Sequence, residues 1–197
     1  MFGSGATPRR QELAIRGTDG NVERRPAAAL YALIEQRLGT TPNLEAAARI
    51  DQAVRLFHRG VEGDGASATL DVPLAAIDGG LPACSPPRFH DLGRLGGVVL
   101  GFTAAAVGRS GRILYVAAPS TRPTPFPTAP SPAPPWASST AMSCAWTPLL
   151  EEDGTLSRCK PEGLLLDASE REGWLVTDPD DATEPAHLLR FRLDGPW

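Results

Sequence analysis

Apolar positions along the chain fall in short runs and alternations broken by clusters of Gly, Pro, Asp and Ser. Such a layout predicts strands joined by tight turns. Near the C-terminus, Lys160, Pro161, Glu162 and Gly163 lead into the run Leu164, Leu165, Leu166. A second run is Trp174, Leu175, Val176, Thr177, and a third extends from His187 to Leu193. Polar turns separate the three, so this stretch predicts a small antiparallel meander.

Similar layouts lie upstream. Ala46 to Ile50 form one run after Asn43, Leu44 and Glu45, and Asp51 and Gln52 make the turn. Val54, Leu56 and His58 then alternate with Arg55, Phe57 and Arg59, and Thr69 to Leu74 give a third run. A second unit starts at Gly101, Phe102, Thr103 and Ala104, turns at Arg109 to Gly111 and returns through Ile113 to Ala117. Only one segment has helical spacing: Leu30, Leu33, Ile34 and Leu38, opened by Pro26 and closed by Gly39, predict a short helix near 27–38.

Aligning the three units places Glu45, Ala104 and Glu162 at corresponding positions, 59 and 58 residues apart. A fixed spacing of this size in strand-rich sequence is the mark of propeller blades. The expected fold is all-β: a partial β-propeller of about three blades with one short helix and a disordered Pro-rich insert. Residues 1–118 hold the first blades, 119–147 the insert and 148–197 the C-terminal blade.

The insert breaks every trend. Between Pro119 and Trp146 there are eight prolines and a single charged residue, Arg122, in a background of Ser, Thr and Ala. Proline at that density cannot supply the amides of a sheet ladder. Two origins fit the composition: a disordered linker, or a translation-frame shift in GC-rich codons, which yields peptides of this kind without hydrophobic period. The composition weighs toward the frame shift.

Composition narrows the function classes. The net charge of −4 over 197 residues gives no electrostatic reason to expect nucleic acid or an anionic membrane. No apolar window is long enough for a membrane helix, and the N-terminus lacks the layout of a signal peptide, which favours a cytoplasmic location. Cys84, Cys144 and Cys159 are too few and too scattered for a disulfide framework or a zinc site.

Candidate chemistry rests on carboxylates. Glu45 and Glu162 stand at the starts of first strands, where a propeller directs side chains to its axial channel and where carboxylates can share a calcium ion. The competing structural role for Glu162 is an ion pair with Lys160, two residues away on the same side of a strand. Asp178, Asp180 and Asp181 form an acidic loop that could also meet calcium, although Asp and Pro in such a loop more simply build a turn. His58, His90 and His187 occupy three different contexts, and no Gly-x-Ser-x-Gly elbow occurs. Arg9 and Arg10 fit a solvated loop better than a phosphate site.

The segments GSGATPRR, NLEAAARIDQAVRLFHRG, LGFTAAAVGRSGRILYVAA, KPEGLLLD and GWLVTDPDDATEPAHLLRFRL resemble an uncharacterised bacterial family of β-propeller-like proteins. That family is in turn distantly similar to the esterase-like domain of bacterial phytases. The likeness covers residues 3–118 and 149–193. It implies further blades before the opening GSG, hence an N-terminally truncated chain. The chain departs from the family pattern at Ala46, where Gly is favoured, and at Ala104, where Asp is favoured. Two functions follow from the likeness: a binding or scaffold propeller with a small-molecule ligand, or a calcium-dependent phosphoesterase or lactonase-like hydrolase. The two apparent lesions add a third reading, an inactive gene product. An open ring with unpaired strand edges is also expected to be marginally stable.

Overall fold

A computed structural model describes residues 1–60, 66–119, 147–179 and 181–194. It is mostly β, with four separate sheets and little helix. The first is a hairpin of β1 (Glu12–Arg16) and β2 (Val22–Pro26). The next is an antiparallel sheet of β3 (Leu44–Ile50), β4 (Ala53–His58), β5 (Ser67–Pro73) and β6 (Arg88–His90), in that order. The third contains β7 (Arg94–Leu95), β8 (Val98–Val107) and β9 (Ile113–Pro119), and the last contains β10 (Pro161–Leu166), β11 (Glu172–Thr177) and β12 (Leu188–Arg192). Among the described residues the sheets do not close into a ring.

The expected helix is α1 (Ala28–Leu38), which ends where Gly39 adopts a left-handed conformation at φ 73° and its amide reaches the Glu35 carbonyl. Leu30, Tyr31, Ile34 and Leu38 form its buried face. With Leu13 they cover one face of the four-stranded sheet, meeting Leu44, Leu56, Ala68, Leu70 and Val72. The chain contains more helix than the single one expected. Pro73 ends β5, and the Ala-rich stretch behind it forms the single turn α2 (Leu74–Ile77).

The opposite face of that sheet, called the front here, carries Ala46, Ala48 and Phe57 and packs on the back of the third sheet through Phe102, Tyr115 and Ala117. Phe102 is the pivot, edge-on to Phe57 at 5.2 Å and to Tyr115 at 5.1 Å. β8 lies between β3 on one side and β10 on the other.

All three of these strands carry an irregularity, one residue from the paired start in β3 and β10 and three residues from it in β8. In β3 the register slips between Leu44 and Ala46, in β8 between Phe102 and Ala104, and in β10 between Pro161 and Gly163. The unpaired residues are therefore Glu45, Thr103 and Glu162. A bulge redirects the side chain it leaves unpaired and tightens the local twist. The register corrects the alignment expected from sequence: Thr103, not Ala104, corresponds to the two glutamates. Ala104 instead matches Ala46 and Gly163, and it is 3% exposed. The carboxylate expected to be missing at Ala104 is thus absent from a ladder position, not from the bulge.

Pro119, the first residue of the expected Pro-rich insert, belongs to β9 and pairs with Leu100. Beyond Pro119 the stretch lies outside the described residues up to Thr147, and with it both proposed origins.

Candidate functional site

The start of β3, the end of β4 and the start of β10 bring four charged side chains to one place. Glu162, at the β10 bulge, accepts an ion pair from Lys160 at 3.1 Å and faces Arg59 at 3.9 Å on the same oxygen, Oε1. Arg59 follows the last residue of β4 and is itself fixed. Its Nη2 donates to the Pro119 carbonyl at 2.9 Å, and its stem crosses Gly101, where a Cβ would come within 2.6 Å of the Arg59 Cγ. Only glycine lets the arginine cross β8 this closely. Arg59 thus ties the first, second and third of the larger sheets together.

Glu45, at the β3 bulge, shares this electrostatic neighbourhood. Burial pushes its carboxyl above the usual range, and the charge of Glu162 pushes in the same direction. Arg59, Lys160 and a hydrogen bond from the Asn43 side chain oppose the shift without cancelling it. Glu45 and Glu162, both singled out from the sequence, thus lie near enough for the charge of one to act on the other. The Lys160–Glu162 ion pair is also present, so both roles weighed for Glu162 coexist at one site. Arg59 is the member that the sequence did not single out. It sits directly after an alternating strand and reads as one of its exposed positions, yet its side chain is only 12% exposed.

The chemistry of the four groups is balanced: two carboxylates and two cations. Calcium takes six to eight oxygen ligands and favours uncompensated carboxylates. Here Lys160 occupies Glu162, Arg59 occupies the Pro119 carbonyl, and no group of three or more His, Cys, Asp or Glu side chains capable of holding a metal occurs among the described residues. With Lys160 and Arg59 already facing Glu162, the donor set is a poor fit for calcium.

The other candidates lie elsewhere. Asp181 closes a turn, accepting from the amide and hydroxyl of Thr183 at 2.9 and 2.7 Å. The Asp178 amide donates to the Lys160 carbonyl at 3.0 Å, and Asp180 lies outside the described residues. His58 is 1% exposed, and its Nδ1 accepts from the Asn43 amide at 3.0 Å. That bond places the ring proton on Nε2, which has no hydrogen-bond partner among the described residues. His90 meets the Thr69 hydroxyl at 2.9 Å through Nε2, and the His187 amide donates to the Thr177 hydroxyl at 2.9 Å. The histidines therefore occupy separate structural positions. Arg10 reaches the Ser4 hydroxyl at 3.5 Å in an exposed loop.

No helix of the described residues is long and apolar enough to cross a membrane. No curated protein and no solved structure matches the chain. Neither comparison supports the expected likeness to phytase domains. A family of unknown function, DUF6910, matches residues 1–125, from the opening loop through the second bulged hairpin, and the chain belongs to it.

Proposed function

We propose that the chain is a β-propeller-type binding protein whose ligand site is the charged cluster of Glu45, Arg59, Lys160 and Glu162. The observation that carries this reading is the common bulge at Glu45, Thr103 and Glu162 on neighbouring first strands. The first strands stand side by side as the inner strands of propeller blades do, and the bulged residues mark the end at which an axial site would form. The ligand class is a small polar molecule. Glu45 is the carboxylate least compensated by its neighbours, so it is the group with most to gain from a donor or a cationic centre on the ligand.

A calcium-dependent hydrolase is the second reading, and proximity of the two glutamates is what favours it. It requires Glu162 to leave Lys160. The inactive-product reading rests on the two apparent lesions in the sequence and draws nothing from the cluster.

The test is ligand-observed NMR on the full chain with a panel of small carboxylates, amines and sugars, alongside calorimetric titration with calcium chloride. Binding of panel members that is lost in Glu45→Gln and in Arg59→Ala, both checked for native circular dichroism, supports the polar-ligand site. Calcium heat lost in Glu45→Gln and Glu162→Gln would move the assignment to the second reading. Absence of binding by either probe, or binding unchanged by all three variants, rejects the site.

A further inference from the structure

Two of the four cluster residues are tied to Asn43, which sits just before β3. The Asn43 backbone amide donates to His58 Nδ1 at 3.0 Å, its side-chain amide donates to the Gly60 carbonyl at 3.3 Å, and its carbonyl accepts from the Arg59 amide at 2.9 Å. The same side chain donates to the Glu45 carboxyl. Glu45, from the β3 bulge, and Arg59, from the end of β4, are thus held by one residue.

The far end of this chain of bonds is an imidazole. His58 lies opposite Leu44 and Ala68, on the face of the sheet that carries Leu56 and meets α1. Nδ1 accepts from Asn43 and the ring proton is on Nε2, so an added proton must go to Nδ1. A protonated Nδ1 cannot accept, and the charged ring and the Asn43 bond therefore exclude each other. Register shows that this arrangement belongs to one sheet of the three. The places of Leu44 and His58 are taken by Phe102 and Ala117 in the β8 sheet and by Pro161 and Thr177 in the C-terminal sheet. Ala117 has no polar side chain, and Thr177 accepts from the His187 amide through a hydroxyl that does not titrate in this range.

We propose that Asn43 is a positioning residue for Glu45 and Arg59, and that His58 makes this placement releasable by acid. This regulation rests on the cluster being the ligand site proposed above. When the ring charges, the Asn43 amide loses its acceptor, and the bonds from Asn43 to Gly60, Arg59 and Glu45 lose their anchor. The surroundings leave burial as what resists charging. Leu44 and Ala68 flank the ring from β3 and β5, and α1 brings Tyr31, whose ionisation burial pushes upward and on which Glu12 of β1 acts. The opening loop, bonded to Leu44 through Ser4, carries Arg10 on the Ser4 hydroxyl, and Arg55 and Arg59 alternate with His58 onto the front face. Among the described residues no charged side chain acts on the ring, and burial holds it at about 4 against the ordinary 6.5. A released ring in water regains the ordinary value, so the ratio of released to held chain grows by about 300-fold as pH falls across this window.

Native-state hydrogen exchange of the full chain, followed by NMR at rising urea from neutral pH down to about pH 4, tests the proposal. The Asn43 and Arg59 amides are expected to exchange through a local opening that low urea hardly accelerates. After correction for intrinsic rates, that opening should grow by about 300-fold over the window. Leu56 and Leu70, in the same sheet, should show the strong urea dependence of global unfolding. His58→Asn, which puts a non-titrating oxygen near the place of Nδ1, should remove most of the growth. Asn43→Ala keeps the backbone bonds and should raise the titration midpoint of Glu45, read from its carboxyl carbon resonance, because a bond that favours the carboxylate is gone. Exchange of Asn43 and Arg59 through global unfolding alone at every pH overturns the proposal without need of any variant. So does growth that His58→Asn retains, or a Glu45 midpoint that Asn43→Ala leaves in place. None of these readouts uses a ligand. An empty ligand panel with the expected exchange pattern therefore rejects the site and not the release, and panel binding without that pattern rejects the release and not the site.

Discussion

The Glu170 carboxylate accepts two hydrogen bonds from Ser110, one from the backbone amide at 2.7 Å and one from the hydroxyl at 2.8 Å. These bonds join the turn after β10 to the turn after β8 and so hold the last two sheets in register with each other. Gly108 makes the approach feasible, since a Cβ there would lie 2.6 Å from the Glu170 carboxyl carbon. Gly108→Ala is therefore expected to lower the thermal midpoint, as is Glu170→Ala, which leaves the Ser110 donors without their acceptor. The double variant should lose less than the two single losses combined, because the second change relieves the clash created by the first. Thermal unfolding of the three variants against wild type checks this, and strict additivity would contradict it.

The same bonds make Glu170 sensitive to pH. The Ser110 amide, then its hydroxyl, then the charge of Arg112 hold the carboxyl below its ordinary value of 4.5. A carboxyl depressed in the folded state stabilises the fold above its unfolded value, and that contribution disappears as pH falls through the lower folded value. The stability difference between wild type and Glu170→Gln should accordingly be largest above pH 4.5 and shrink below it. Urea titrations at a series of acidic pH values measure the difference directly.

Tyr31 ties the opening of the chain to the core. It is fully buried, and its hydroxyl donates to the Gly3 carbonyl at 2.6 Å. Gly5, in a left-handed conformation at φ 79°, passes so close that a Cβ would meet the ring at 2.8 Å. Tyr31→Phe should cost about 1 kcal/mol, the usual net value of one hydrogen bond. Gly5→Ala should cost more, since it combines backbone strain with overpacking. Chemical denaturation resolves the two, and equal losses would contradict the close approach.

These contacts show where the sequence is informative and where it is not. Strands with one face on the core announce themselves, as Leu189 and Phe191 do between the exposed Arg190 and Arg192 of β12, because alternation in burial imposes alternation in chemistry. β2 carries no such signal: Val22, Glu23 and Arg24 are all exposed, and the strand exists through pairing with β1 alone. Glu45 and Glu162 could be singled out because they precede apolar runs. Their offset from Ala104 could not, since a bulge adds one unpaired residue without any mark in composition. Arg59 was hidden for a different reason. Its importance comes from Gly101 and Pro119, which lie about forty and sixty residues away in sequence and come close only after β3 and β8 have packed.

Arg55 and Asp71 face each other across β4 and β5, joined by two hydrogen bonds of 2.8 and 2.9 Å in the forked geometry that guanidinium and carboxylate share. Both side chains are largely covered, at 14% and 22% exposure. Asp71→Asn should cost about 1–2 kcal/mol, since it weakens the charge-assisted fork while keeping its shape. Arg55→Lys should retain the charge, lose the second bond and fall between wild type and Asp71→Asn. An Arg55→Lys variant as stable as wild type would show that the fork geometry contributes nothing.

His58 provides the strongest pH prediction of the fold. Burial pushes its imidazole from 6.5 down to about 4. The folded chain therefore binds this proton more weakly than the unfolded chain does. Stability from His58 is complete above pH 6.5 and falls as the pH drops from there to about 4. A shift of this size corresponds to about 3 kcal/mol over the whole window. His90, lowered first by burial and then by Arg55 and Arg88, adds a loss of the same sign. His58→Leu separates the two. It should flatten most of the acid-side slope while lowering stability at neutral pH by about 1–3 kcal/mol, because the Asn43 amide is left without an acceptor. Urea unfolding of wild type, His58→Leu and His90→Ala between neutral and acidic pH gives the slopes, and a His58→Leu slope equal to wild type would show that the buried ring does not control the acid sensitivity of the chain.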